Sequence, residues 1–192
     1  MNLVKNSKFY TQEEYFKIEE QEEFKSEYFE GEIFAMAGGT PNHNRIILNV
    51  AGSLNSEFKI KNKACESFAS DVRVEIEQDK HYVYPDVFVI CGDLEFAQNR
   101  RDTITNPILI VEVLSDSTKD YDRGSKFTSY RKIKTLKDYL LIDQKNIHIE
   151  YFFKQDSGIW GLKEYFSLTD TISLYSIQVD IVIKEIYNRV DI

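Results

Sequence analysis

Two segments of this 192-residue chain, YPDVFVI (84–90) and PILIVEVLS (107–115), are nearly continuous in apolar side chains. Strands of that composition are buried on both faces, as central strands are when helices pack on each side of a sheet. Each run nevertheless carries one carboxylate, Asp86 in the first and Glu112 in the second. A lone ionised carboxylate on a buried strand face costs several kcal/mol unless a cation, a metal or hydrogen-bond donors compensate it. Two such placements ask for a shared cause.

The length suits one domain with a full core, read as residues 1–192. Apolar residues make up 42% of the chain and aromatic residues 14%, with 12 Tyr and 13 Phe. That composition argues for ordinary globular packing and against disorder. Cys65 and Cys91 lack the spacing of a metal site and read as buried or free thiols, which makes a disulfide scaffold and structural zinc unexpected. The N-terminal MNLVKNSKFYTQEEYFK has no apolar run of leader length, and no later run approaches a membrane span. The expectation is a soluble, cytoplasmic protein with no membrane partner.

A net charge of -8 argues against indiscriminate nucleic-acid binding, which needs an electropositive face. The charge is uneven. Residues 119–137 hold seven basic side chains (Lys119, Arg123, Lys126, Arg131, Lys132, Lys134, Lys137) against Asp120 and Asp122, whereas the first 32 residues hold nine Glu against four Lys. Such asymmetry places a basic face on an acidic molecule, or simply a solvated helix face.

No repeat, low-complexity tract or linker divides the chain. Thr11 with Glu14 has the spacing of a capping box and predicts a first helix over roughly 11–22. SEYFEGEIFAMAGG reads as a strand or hairpin turning at Glu30-Gly31. Thr40-Pro41 is a good N-cap and N1 pair, and Ile46, Ile47, Val50, Leu54 and Phe58 recur at helical spacing as far as about Lys61. DVRVEIE alternates, with Val72, Val74 and Ile76 opposite Asp71, Arg73, Glu75 and Glu77, which predicts a half-exposed antiparallel strand. A helix is expected from Tyr121 to about Thr135 and a buried strand in DYLLID (138–143). The core order is therefore helix, three strands, helix, strand, with DVRVEIE first of the three. IHIEYFFK and KEYFSL extend the sheet, and VDIVIKEIYNRV ends the core as either strand or helix.

Alternation along each strand puts Asp86 with Phe88 and Ile90, and Glu112 with Ile110 and Leu114. If the strands are neighbours, the carboxylates converge, and a divalent cation with a preference for hard oxygen ligands relieves their repulsion. Pro85 has no amide donor, so an edge or bulge is expected beside Asp86. The alternative is that Asp86 caps a turn and Glu112 pairs with an internal Arg or Lys.

The combination of EYFEGEIFAMAGG, PNHNRIILNV, YPDVFVI, VEVLSDSTKDYDRGSKFTSY and DYLLID resembles the Uma2 family, also called DUF820, of the PD-(D/E)xK restriction-endonuclease-like superfamily. The likeness runs over nearly the whole chain. It implies an α/β fold, a central mixed β-sheet flanked by helices in the order α-β-β-β-α-β, with an added N-terminal helix and hairpin and C-terminal strands. The superfamily pattern has a lysine two residues after the glutamate, where this chain has Leu114; Lys126, one helical turn before Tyr130, is the matching candidate. The resemblance implies a nuclease that hydrolyses DNA with Mg²⁺ or Mn²⁺. Asp86, Glu112 and the Val113 carbonyl would hold the metal and Lys126 would assist the attacking water, with catalytic residues Asp86, Glu112 and Lys126. Ser115 is placed to support Glu112. By the same resemblance His43 borders the site, and Glu27 and Glu32 match acidic positions, all three outside the catalytic set. The alternative function is a catalytically inactive nuclease-fold module that binds nucleic acid or protein, and the aromatic-rich C-terminal region offers a homodimer surface.

Overall fold

The computed structural model describes residues 9–36, 38–78 and 80–192. The reading of the first eight residues lies outside them. The chain opens with α1 (Gln12–Gln21), capped as expected: Thr11 Oγ1 accepts from the Glu14 N–H, and the Thr11 N–H donates to Glu14 Oε2 at 2.8 Å. A hairpin follows, β1 (Ser26–Phe29) and β2 (Glu32–Ala35), turning at Glu30 and Gly31, whose φ values of 46° and 95° are those of a two-residue primed turn. α2 (Pro41–Ile60) starts at the Thr40 cap and buries Ile46, Ile47, Val50, Leu54 and Phe58.

Next come β3 (Cys65–Ala69), β4 (Arg73–Glu77), β5 (His81–Val83), β6 (Val87–Cys91), β7 (Thr103–Ile104) and β8 (Leu109–Leu114). A short helical passage links β8 to β9. It consists of α3 (Lys119–Tyr121), a π turn over Asp122–Lys126, and α4 (Phe127–Tyr130). The chain ends with β9 (Asp138–Asp143), β10 (Ile149–Lys154), β11 (Trp160–Tyr165), β12 (Thr171–Leu174), β13 (Val179–Val182) and α5 (Ile183–Ile186). The terminal segment is thus strand and then helix: Val179 and Ile181 are buried in alternation, then Ile183 and Ile186 at helical spacing.

The strands form a six-stranded sheet in the order β11-β10-β9-β8-β6-β3, a five-stranded sheet in the order β2-β1-β5-β4-β7, and the β12–β13 pair. In the larger sheet β6 runs antiparallel to β8, and β8 parallel to β9. The helical passage between β8 and β9 supplies the crossover that a parallel pair requires. Alternate residues of β8 serve two cores. Leu109, Val111 and Val113 pack with α2 and α5, whereas Ile110 and Leu114 face Phe127 and Tyr130 of α4 and Val74, Ile76 and Val83 of the smaller sheet. Glu112 lies on this second side, between the two sheets.

Five expectations need correction. β4 belongs to the smaller sheet, so the core order of helix, three strands, helix and strand is met by β3, β6 and β8. Its polar side is also covered rather than half-exposed: Arg73 and Glu75 are buried, because α1 packs there and Glu19 meets Arg73 at 3.2 Å. The helix foreseen to Thr135 stops at Tyr130. Beyond it the chain turns back toward β9, where the Lys137 and Asp138 amides both donate to the Ile108 carbonyl. Pro85 precedes β6, which lies between β8 and β3, so it marks a strand start and not a sheet edge. Finally, Cys65 and Cys91 form a disulfide. The β3–β6 register sets them opposite each other with Cα atoms 4.0 Å apart, a proximity that their separation of 26 residues conceals. Among the described residues no helix is long and apolar enough to cross a membrane.

Candidate functional site

The β6–β8 pairing matches Val87 with Val111, so the next step of the antiparallel register brings Asp86 beside Glu112. Asp86 lies in the bend just before β6. Its Oδ2 accepts a 2.7 Å hydrogen bond from the Val113 N–H, which ties the bend to the C-terminal end of β8. The same oxygen is 3.2 Å from His43 Nε2.

Glu112 is buried and faces the helical passage. Its Oε1 accepts a 2.6 Å hydrogen bond from the Tyr130 hydroxyl and lies 2.9 Å from Lys126 Nζ. Asp122, Lys126 and Tyr130 are four residues apart in sequence. A π turn has more than four residues per turn, so this stretch stacks the three side chains toward the sheet; such turns recur at functional sites. Lys126 Nζ is 3.1 Å from Glu27 Oε1 and 3.8 Å from Asp122 Oδ1. Glu27 comes from β1, so the smaller sheet supplies one wall of the site.

Four carboxylates therefore surround one ammonium and one imidazole. Counted formally, with every carboxylate ionised and His43 charged, the cluster carries two negative charges in excess. The electrostatics show the load. Burial pushes the Glu112 carboxyl upward, Lys126 opposes this, and Asp86 and Asp122 add to the rise. Burial likewise raises Asp122. Burial pulls Lys126 down, yet Glu112 and Glu27 outweigh it and hold the ammonium well above the usual lysine range. The proton of the pair resides on the lysine. For His43, burial is outweighed by the hydrogen bond and charge of Asp86, which raise it.

The sequence-derived trio Asp86, Glu112 and Lys126 thus meets in one place, with Val113 between the carboxylates. Ser115 does not reach Glu112; its hydroxyl accepts from the Thr118 N–H and bonds Ser117 and Thr118, starting the helical passage. Glu32 is exposed. His43, Glu27 and Asp122 belong to the cluster although sequence reasoning kept the first two outside the catalytic set and counted Asp122 only as charge. The signal for Asp122 was its four-residue spacing from Lys126. The basic segment is not an open stripe, because Arg123 pairs with Glu150, Lys126 is buried and Lys132 pairs with Glu77.

Among the described residues, no three His, Cys, Asp or Glu side chains are spaced to enclose a metal. Protein cations occupy the carboxylates instead. The chemistry of Asp86 and Glu112 is that of hard oxygen donors, the kind a divalent ion such as Mg²⁺ takes.

A sequence profile of the Uma2 family, described as "Putative restriction endonuclease", matches residues 12–183. The chain belongs to the Uma2 family. Two uncharacterized proteins of Synechocystis sp. are similar to this Uma2 chain, one 42% identical over 85% of this chain and 92% of its own, the other 37% identical over 91% and 90%. The crystal structure of "a putative nuclease belonging to DUF820" from Anabaena variabilis superposes with a TM-score of 0.74 at 18% identity, covering 93% of this chain and 97% of that one. The restriction-endonuclease-like α/β fold of this Uma2 protein is therefore shared with that structure.

Proposed function

We propose that this Uma2 protein is a divalent-cation-dependent nuclease that hydrolyses DNA phosphodiester bonds. The observation that carries the reading is the 2.9 Å contact of Lys126 with Glu112: the lysine missing at Leu114 is supplied from the helical passage, beside the carboxylate it must serve. The family description and the neighbouring structure's description as a putative nuclease support the same chemistry.

Asp86, Glu112 and the Val113 carbonyl are the residues that would hold Mg²⁺ or Mn²⁺. When bound, such an ion polarises the phosphate and lowers the pKa of a coordinated water. The chain's own part is positional and electrostatic. The Val113 amide fixes Asp86, Tyr130 fixes Glu112, and Lys126 presents an ammonium where charge develops on the phosphate oxygens. Glu27 and Glu112 together hold that ammonium in its charged form.

The test is cleavage of supercoiled and single-stranded DNA in Mg²⁺ or Mn²⁺ by the wild type and by Asp86→Ala. Cation-dependent cleavage lost in the variant is expected; absence of cleavage, or equal cleavage, overturns the reading. The burial of Lys126 and the net charge of -8 favour a second reading, a nuclease-fold module that binds without cutting. Its mark is saturable, metal-independent binding of DNA or protein that Asp86→Ala leaves unchanged.

A further inference from the structure

Strand β3 lies at the edge of the larger sheet, paired only to β6, and none of its five residues is buried. Cys65 and Ala69 pack at the margin of the α2 core, Phe68 stacks on Phe88 with ring centroids 5.0 Å apart, and Ser67 Oγ is shut from solvent without a hydrogen-bond partner. Segments with so few buried contacts are the ones that open locally. The two ends of β3 have different attachments. At one end Cys65 is bonded to Cys91; at the other, just past the Ala69–Val87 pair, the Ser70 N–H donates to the Asp86 carbonyl at 3.1 Å. Ser70 has φ of 51°, unfavourable for a residue with a Cβ, so it persists only while its partners hold it. Those partners are Asp86 and the Lys25 ammonium, 2.9 Å from the Ser70 carbonyl. Disulfides staple domains too small to bury a core, whereas this fold has two large buried clusters. Cys91 also lines a surface cleft of about 400 Å³, together with Asp93, Glu95 and Lys137.

We propose that the Cys65–Cys91 pair is a thiol–disulfide switch: a small thiol entering the cleft beside Cys91 opens the bond, frees β3 and loosens the Asp86 bend. The incoming thiol gives its proton to water and attacks Cys91 Sγ as the thiolate. The S–S bond breaks, and its electron pair leaves on Cys65 Sγ, which takes a proton from water. A second thiolate attacks the outer sulfur of the mixed disulfide and releases Cys91 in the same way. The protein disulfide is thereby reduced to two thiols, and two small thiols are oxidised to their own disulfide. An ammonium such as Lys137 favours the thiolate form, and the Asp93 and Glu95 carboxylates suit a thiol that carries an ammonium of its own. With the bond closed, β3 cannot part from β6 at that end. The release of β3 stands on its own; its effect on cutting rests on the proposed nuclease reading.

The experiment is residue-resolved hydrogen exchange by nuclear magnetic resonance on the full chain, oxidised, reduced, and as Cys65→Ser/Cys91→Ser. Its probes are the Ser70 and Val113 amides, which donate to the Asp86 carbonyl and carboxylate. Both should exchange at least about tenfold faster in the reduced protein, while Leu140 and Leu141 of β9 stay protected over the same period. The double variant should match the reduced protein and ignore added thiol. Unchanged exchange at Ser70 and Val113 overturns the switch. Equal acceleration at Leu140 and Leu141 marks a staple for the whole fold and overturns it as well. Cysteamine should open the disulfide several-fold faster than 2-mercaptoethanol at equal thiolate concentration, and Asp93→Asn/Glu95→Gln should remove that advantage; equal rates in the wild type overturn the cleft as the point of entry. DNA cleavage should fall several-fold on reduction, and equal cleavage in both states overturns the regulatory consequence. Absence of cleavage in both states counts against the nuclease reading alone, since the exchange rates still decide the switch.

Discussion

Lys126 and Glu112 form a buried ion pair, 2.9 Å apart, with the lysine on a π turn and the glutamate on the central strand β8. Neither charge is tolerable alone. Lys126→Met leaves Glu112 and Glu27 without their cation and should cost about 3–5 kcal/mol of stability. The triple variant Lys126→Met, Glu112→Gln, Glu27→Gln should recover most of that loss. Urea unfolding measures both. A single variant as stable as the wild type would show that the pair contributes nothing.

Tyr130 donates to the same Glu112 oxygen at 2.6 Å. Tyr130→Phe keeps the ring packed among Ile133, Leu136 and Tyr139 and removes one hydrogen bond to a charged group. The expected loss is about 1.5–3 kcal/mol in the same urea measurement. In a Glu112→Gln background the loss should be smaller, since the acceptor is then neutral.

The Cys65–Cys91 disulfide joins edge strand β3 to β6. Closing a loop of this length in the unfolded chain stabilises the fold by roughly 3 kcal/mol in the chain-entropy description. Reductant should lower the denaturation midpoint of the wild type and leave Cys65→Ser/Cys91→Ser unaffected. Identical midpoints for oxidised and reduced wild type would contradict this.

His81 is buried against Phe29, with Nε2 lacking a hydrogen-bond partner. Burial, then Lys126 and Lys132, lower its pKa from 6.5 to about 4. Between those values the unfolded chain binds the proton and the folded chain does not, so stability falls as the pH drops from about 6.5 to about 4. The full loss is on the order of 3 kcal/mol. His81→Phe should flatten this part of the pH–stability curve, as followed by unfolding at several pH values.

The apolar runs made β6, β8, β9 and α2 readable, because burial on both faces or at helical spacing leaves a local pattern. Alternation also let Asp86 and Glu112 converge if their strands were neighbours, and the four-residue step from Lys126 to Tyr130 put those two on one helix face; the structure brings both to Glu112. What stayed hidden depends on which distant surface covers which. The alternation of DVRVEIE reports that Arg73 and Glu75 share a face; it does not report that α1 closes over that face with Glu19. Glu27 in a hairpin looks like a solvated charge until the smaller sheet is folded against the helical passage. His43 is similar: nothing local in PNHNR reveals that its ring reaches Asp86.

The central claim is that Asp86, Glu112 and Val113 form one cation site served by Lys126. It is tested most directly by diffraction from crystals soaked in Mn²⁺, with data collected at the manganese absorption edge. The account predicts an anomalous peak within about 2.0–2.6 Å of oxygens from Asp86, Glu112 and the Val113 carbonyl, the range of hard-cation ligands. Saturating Mn²⁺ with no peak there, and Lys126 and His43 still on their carboxylates, would contradict it.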